Sequence, residues 1–259
     1  MLRWRTTSLS FSTTLQTYFS VACTSFTNQN QSSTAYRYER KFIIPTKNYP
    51  LPLLLKTLKV PFREAYPERV INNVYFDTAD YRSFSENVHG KADRVKVRMR
   101  WYDELVQHKA YHPKLEFKIK RALLGTKKVY NLRAVSQRDA LLSKTEIYRN
   151  LDSTGLPADV LADLKIRQPV LINRYRRRYF ESFNGHVRIT LDTDIAFRRF
   201  GCFNTKAGFS YGMPDVLELK YDAAHEAHGQ QIGSILPFRL TKFSKYQLGM
   251  ERTFFHHAH

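Results

Sequence analysis

The sequence predicts an α+β domain built on an antiparallel β-sheet that curls into a barrel, with a few flanking helices. Three observations predict it. Tyr (16) and Phe (18) lift the aromatic fraction to 14%, and these residues favour strands. Short runs of alternating apolar and charged residues recur, without the regular strand–helix alternation of a parallel sheet. The charged faces of these runs hold Arg, Lys, Glu and Asp, with hardly any Ser, Asn or Gln. A sheet that closes on itself can turn such a face inward as the lining of a channel.

The elements follow in order. Residues 37–44 alternate as a strand. Residues 45–58 hold Leu51, Leu53, Leu54, Leu55 and Leu58, a helix entered through Pro50 or Pro52. Residues 70–76 form a strand, and 77–87 a turn region opened by Asp80 and Tyr81. Strands follow at 92–102 and 114–121, then Lys127, Lys128 and Arg133 near a loop. Residues 136–148 and 157–167 read as helices, with Ser136 and Asp152 or Ser153 as caps. Strands at 170–183 and 187–197 flank a hairpin turn at Asn184-Gly185. A strand at 216–221 and the segment 237–246 complete the domain.

One domain is expected over residues 36–255. Residues 1–35 contain no acid and many Ser and Thr; they read as a disordered tail or an over-long gene start, with a targeting segment as the alternative, disfavoured since Ser, Thr and Gln interrupt the loosely apolar stretch 9–23. Residues 256–259 read as a frayed end. Cys23 and Cys202 have no reason to pair, and no Cys/His set has zinc spacing. No run of about 18 apolar residues is present. The expectation is a cytoplasmic chain that reaches a membrane only through a partner; nothing fixes its oligomeric state.

Lys plus Arg number 42 against 23 Asp plus Glu, a net charge of +19. Such an excess implies a polyanionic partner. Nucleic acid is the commonest such partner, but there is no helix-turn-helix, zinc-finger or RNP signature, and the carboxylates among the cations would repel its backbone. A strand's side chains alternate between faces. Arg94, Lys96, Arg98 and Arg100 therefore share one face. Glu116, Lys118 and Lys120 share another, as do Arg188, Thr190 and Asp192, and Glu218 and Lys220. Arg37, Glu39 and Lys41 align, and so do Arg174, Arg176 and Arg178. A half-exposed sheet also has one wet face. Six strands of this composition instead suggest a charged lining, which is costly to desolvate unless an anion fills it. The carboxylates, with phosphate oxygens, suit Mg²⁺ or Mn²⁺.

Eight motifs appear in order. They are Arg37-Tyr-Glu-Arg-Lys-Phe42, Val74-Tyr-Phe-Asp-Thr78, Lys96-Val-Arg-Met-Arg-Trp-Tyr102, Leu115-Glu-Phe-Lys-Ile-Lys120, Asn173-Arg-Tyr-Arg-Arg177, Val187-Arg-Ile-Thr-Leu-Asp-Thr193, Val216-Leu-Glu-Leu-Lys-Tyr221 and Phe243-Ser-Lys-Tyr246. The sequence resembles a VTC domain, the polyphosphate polymerase branch of the triphosphate tunnel metalloenzymes. The resemblance implies a tunnel barrel that uses ATP with a divalent metal, often manganese, to extend polyphosphate from orthophosphate or a chain end. It implies phosphate-contacting roles for Lys41, Arg98, Arg100, Lys118, Arg174, Arg188, Lys242 and Lys245, with Lys220, Lys120 and Arg94 assisting. It implies metal binding by Glu218, with Glu116 and Glu39 in support. Hydrolytic and cyclase members of the wider superfamily tend to open with Glu-x-Glu-x-Lys; here Arg37 takes the first position, which shifts the expectation towards polymerase. A triphosphate hydrolase on the same fold and a non-catalytic polyanion-binding module remain as alternatives.

Overall fold

The computed structural model describes residues 37–45, 49–103, 110–122, 124–202 and 209–255. The tail expected at 1–35, Cys23, His108 and the end at 256–259 lie outside the described residues. Strand β1 (Arg37–Ile44) leads to helix α1 (Leu51–Thr57) and the long strand β2 (Phe62–Thr78). Next come α2 (Arg82–Val88), β3 (Arg94–Asp103), β4 (Lys114–Arg121) and β5 (Leu124–Asn131). Helices α3 (Lys144–Ser153) and α4 (Ala158–Lys165) precede β6 (Arg167–Ser182), β7 (Val187–Arg199) and β8 (Asp215–Asp222). Helix α5 (Glu226–Ile235), the short strand β9 (Arg239–Thr241) and helix α6 (Lys245–Met250) complete the unit.

The strands form one antiparallel sheet in the order β5-β4-β3-β2-β6-β7-β8-β1-β9. Its two sides meet where Arg37 of β1 pairs with Gly125 of β5, so β1 to β8 close a barrel. Closure tilts and staggers the strands. Accordingly β1 pairs along its whole length with β8, while its other edge is shared between β9 and β5.

Alternation decides where the apolar side chains go. The outward residues of β1, β7 and β8 (Phe42, Ile44, Ile189, Leu217, Leu219) are buried with Leu51 and Leu55 of α1 and Ile232 of α5. The outward residues of β2 and β3 (Val74, Phe76, Val97, Met99, Trp101) pack with α3 and α4 through Ile147, Leu151, Val160 and Leu164. Each fully buried Leu or Ile contributes about 1.5–3 kcal/mol. A third cluster lies on the inward faces, where Ile71, Leu171, Phe197 and Val216 of the sheet meet Tyr246 and Met250 of α6. Gly249 permits this: a Cβ there would lie 2.5 Å from Leu171 Cδ2 and 2.6 Å from Phe197 Cδ1.

Several expectations are corrected. Residues 77–87 are not only a turn, because α2 occupies Arg82–Val88. Asp77 organises its start, accepting from the amides of Ser83 at 2.8 Å and Phe84 at 3.0 Å. The loop near Lys127 and Lys128 is strand β5, a weakly apolar run held by its pairing with β4 across a turn at Ala122 (φ 50°). Ser143, not Ser136, caps the helix that follows. Helix α5 was not anticipated. The turn at Gly185 (φ 73°) is where expected. No helix among the described residues is long and apolar enough to cross a membrane.

Candidate active site: a charged channel

With Val97, Met99 and Trp101 of β3 committed to the outer core, the period of two turns Arg94, Lys96, Arg98 and Arg100 inward. On β4, Leu115 and Phe117 pack outward and bring Glu116, Lys118 and Lys120 opposite them. Arg98 grips one oxygen of Glu116 with Nε at 2.8 Å and Nη2 at 2.6 Å. Arg100 Nη1 lies 3.7 Å from the same oxygen, and Lys127 Nζ lies 3.6 Å from the other. Arg100 also donates to Asn73 Oδ1 at 2.8 Å and to the Tyr175 hydroxyl at 3.1 Å. Lys118 donates to Glu39 at 2.9 Å.

A second cluster forms where β1, β6, β7, β8 and α6 converge. Asp192, with no exposed surface, takes two bonds from Arg177 (2.6 Å from Nη2) and one from Lys245. Glu218 Oε2 faces Lys220 Nζ at 2.9 Å and Arg177 Nη2 at 3.4 Å. Its Oε1 has Lys245 at 3.7 Å and Lys41 at 3.8 Å, both beyond hydrogen-bonding distance. Lys41 also lies 3.3 Å from Glu39 and donates to the Phe243 carbonyl at 3.0 Å. Asn173 Nδ2 and Thr190 Oγ1 are buried on the inward faces with no partner among the described residues. Buried polar groups are normally satisfied, so both are open to a ligand oxygen.

The charges tune one another. Burial pushes the carboxyls of Glu39, Glu116, Asp192 and Glu218 up, but the facing cations outweigh it and hold all four below the usual carboxylate range. Lys96 goes the other way. Burial, then Lys41, Lys118 and Arg94, hold its ammonium well below the usual lysine value. It donates to Ser244 Oγ at 2.8 Å. A cation so placed destabilises the ligand-free protein and awaits an anion. Lys96→Met is therefore expected to raise the thermal midpoint by about 2–4 °C while weakening inorganic tripolyphosphate binding about ten-fold. Calorimetry and a melting curve check the two signs; a fall in both would sink the argument.

The structure brings Lys41, Arg98, Arg100, Lys118, Lys220, Lys245, Glu39, Glu116 and Glu218 together. Lys120 and Arg94 pair across β3 and β4 at one end of the channel, with exposed Lys242 close enough to depress the Lys120 ammonium after burial has done so. Two expectations are corrected. Arg174 lies on the outer face of β6 beside Arg176, which pairs with Glu68 at 3.0 Å. Arg188 has inward parity but stands at the rim, half-exposed and bonded to Glu181 at 3.1 Å. Arg177 and Asp192 take the inner positions that these two were expected to fill. Both faces of β6 carry arginines, so a period of two could not say which face turns in. A groove of about 670 Å³ between α3 and residues 133–143 lies outside the barrel and shares no charge with the channel. Arg133 belongs to that groove.

Among the described residues no three His, Cys, Asp or Glu side chains are grouped to hold a metal by themselves. The donor set still fits a hard divalent ion. Among the described residues Glu218 Oε1 accepts no hydrogen bond and Glu39 flanks it across Lys41, and Mg²⁺-type ions use one or two carboxylates with phosphate oxygens and water completing the shell. Glu116 fits less well, since Arg98 and Arg100 hold one of its oxygens and Lys127 faces the other.

A closed antiparallel barrel with this lining has the triphosphate tunnel fold. The sequence matches the VTC domain over residues 36–254, and the chain belongs to that family. Among solved structures, a putative adenylyl cyclase from Hippeastrum, described as having a dominant triphosphatase activity, is similar with 12% identity and a TM-score of 0.51, covering 85% of this chain and 96% of that one. A putative adenylate cyclase from Vibrio parahaemolyticus gives 12% identity and 0.42, covering 77% and 85%. The S. pombe RNA triphosphatase gives 10% and 0.30, covering 78% and 77%. No curated protein matches the sequence.

Proposed function

We propose that the protein is an ATP-dependent polyphosphate polymerase, moving the γ-phosphoryl group of ATP onto orthophosphate or the end of a growing chain. The observation that carries this reading is the imbalance of the lining. Glu39, Glu116, Asp192 and Glu218 face more than twice as many inward cations, so the channel suits a run of phosphates along its length. Phosphoryl transfer is mostly positioning and charge stabilisation. Arg98 and Arg100 carry planar forks suited to phosphate oxygens, which would compete for them with Glu116, Asn73 and Tyr175. Lys41, Lys118, Lys220 and Arg177 supply further charge. Glu218, with Glu39 beside it, would hold a divalent ion such as Mn²⁺ or Mg²⁺, which would supply compensation for the phosphates' negative charge.

The acceptor is already an anionic oxygen, so no strong general base is needed. The described histidines are placed accordingly, in turns, loops and on α5. Arg37 supports polymerase over hydrolase. It takes the place of a carboxylate and pairs with Asp222 at 2.9 Å on the rim, leaving Glu39 and Glu218 as the acids beside Lys41. Nucleic acid is disfavoured by carboxylates along the lining.

The test is incubation with ATP and Mn²⁺ followed by sizing of the products. Chains of phosphate are expected. Orthophosphate as sole product would replace the reading with hydrolysis, and binding without metal-dependent ATP loss would replace it with a non-catalytic module.

A further inference from the structure

One end of the channel has a different chemistry from the rest. Arg69 pairs across β2 and β6 with Arg177, one step outward from the Ile71–Tyr102 and Ile71–Tyr175 pairs. Its guanidinium carbon lies 5.6 Å from the Tyr66 ring centre, 5.7 Å from Tyr102 and 5.9 Å from Tyr179. Among the described residues no carboxylate pairs with it, whereas its neighbours on β6 do pair, Arg176 with Glu68 and Arg178 with Glu64. Tyr66 and Tyr179 meet edge to face at 5.7 Å, and Tyr66 keeps 57% of its surface exposed. The β2–β6 register slips on both sides of Tyr66. Such bulges occur at barrel rims and re-aim side chains there. The opposite end gathers Arg94, Lys96, Lys120 and Lys242.

We propose that the Tyr66–Arg69–Tyr102–Tyr179 cluster seats the base of the nucleoside triphosphate donor, with its phosphates running inward towards Arg177 and Arg100. This rests on the reading above that the donor is a nucleoside triphosphate. A base offers two flat π-faces, and guanidinium and phenol rings both stack on such faces. A string of phosphates needs cations and hydrogen-bond donors and gains nothing from the faces of tyrosine rings. The two ends therefore assign a direction: base at the tyrosine end, chain at the lysine end. Stacking reads the face of a base and not its edge, so adenine and guanine nucleotides should bind alike.

The test compares the β,γ-imido analogues of ATP and GTP with inorganic tripolyphosphate, by calorimetry on the full chain. Tyr66→Ala, at an exposed position that the fold does not need, should weaken both nucleotides about ten-fold and leave tripolyphosphate unchanged. Arg69→Gln should weaken the nucleotides more than tripolyphosphate. Equal weakening of all three ligands, or no change in any, overturns the assignment. If chains never form yet nucleotide binding keeps its Tyr66 dependence, the polymerase reading falls and the base seat stands.

Discussion

Asp192→Asn is expected to destabilise the ligand-free protein by about 3–5 kcal/mol, the usual consequence of breaking a buried charge pair from one side. Asp192 has no exposed surface, and both of its partners, Arg177 and Lys245, are nearly as buried. Neutralising it leaves two cations facing Glu218 alone. Thermal or denaturant unfolding measures the loss. Glu181→Gln, at the partly exposed rim, is the control, expected to change stability by under about 1 kcal/mol. Because the site then holds excess positive charge, inorganic tripolyphosphate should restore more stability to the variant than it adds to the parent. The pH dependence carries the same signature. Burial raises the Asp192 carboxyl, but Arg177 and Lys245 bring it below its ordinary value. A carboxyl lowered in the folded state stabilises above its unfolded value, near 3.9, and that stability is lost as pH falls through the lower folded value. The parent should hold its stability from neutrality to about pH 4 and lose it below. The variant should lack Asp192's share of that loss. A variant as stable as the parent would mean that the cluster is not the keystone its burial implies.

Arg98→Ala is expected to lower the rate of chain formation from ATP about 10²–10³-fold, the usual effect of removing one preorganised charge donor from a phosphoryl- or acyl-transfer site. Stability should suffer less, because Glu116 keeps Arg100 and Lys127 within 4 Å. Arg98→Lys should not restore the rate, since an ammonium cannot reproduce the two-pronged donation that Arg98 now makes to Glu116. Arg188→Ala, at the half-exposed rim, should change the rate less than two-fold. Initial rates with ATP and Mn²⁺ decide the matter. A rate within two-fold of the parent for Arg98→Ala would remove the first cluster from the proposed mechanism.

Much of this site was legible because strands declare their faces. In β3 and β4 one face is apolar and the other charged, so Arg98, Arg100, Glu116 and Lys118 could be assigned inward before any coordinates. The same held for Glu218 and Lys220 on β8. Strand β6 resists this reading because arginines stand on both of its faces, so the pattern does not separate Arg174 from Arg177. Strand β5 was missed because Leu124–Asn131 is weakly apolar and is held by its neighbour more than by its own pattern. The tyrosine cluster was missed because bulges shift register locally, and no period of two survives a bulge.

The sequence by itself determined the alternation that builds a charged face on strand after strand, and the cationic excess that asks for a polyanion. Tertiary structure alone decided which cation meets which carboxylate and which arginine of a pair turns inward. It also decided that residues 243–246 return to donate Lys245 and to receive Lys41 and Lys96. The physical reason is that alternation is local and set by the backbone. Closure of a barrel, by contrast, depends on tilt and stagger, and these fix contacts between residues more than a hundred positions apart.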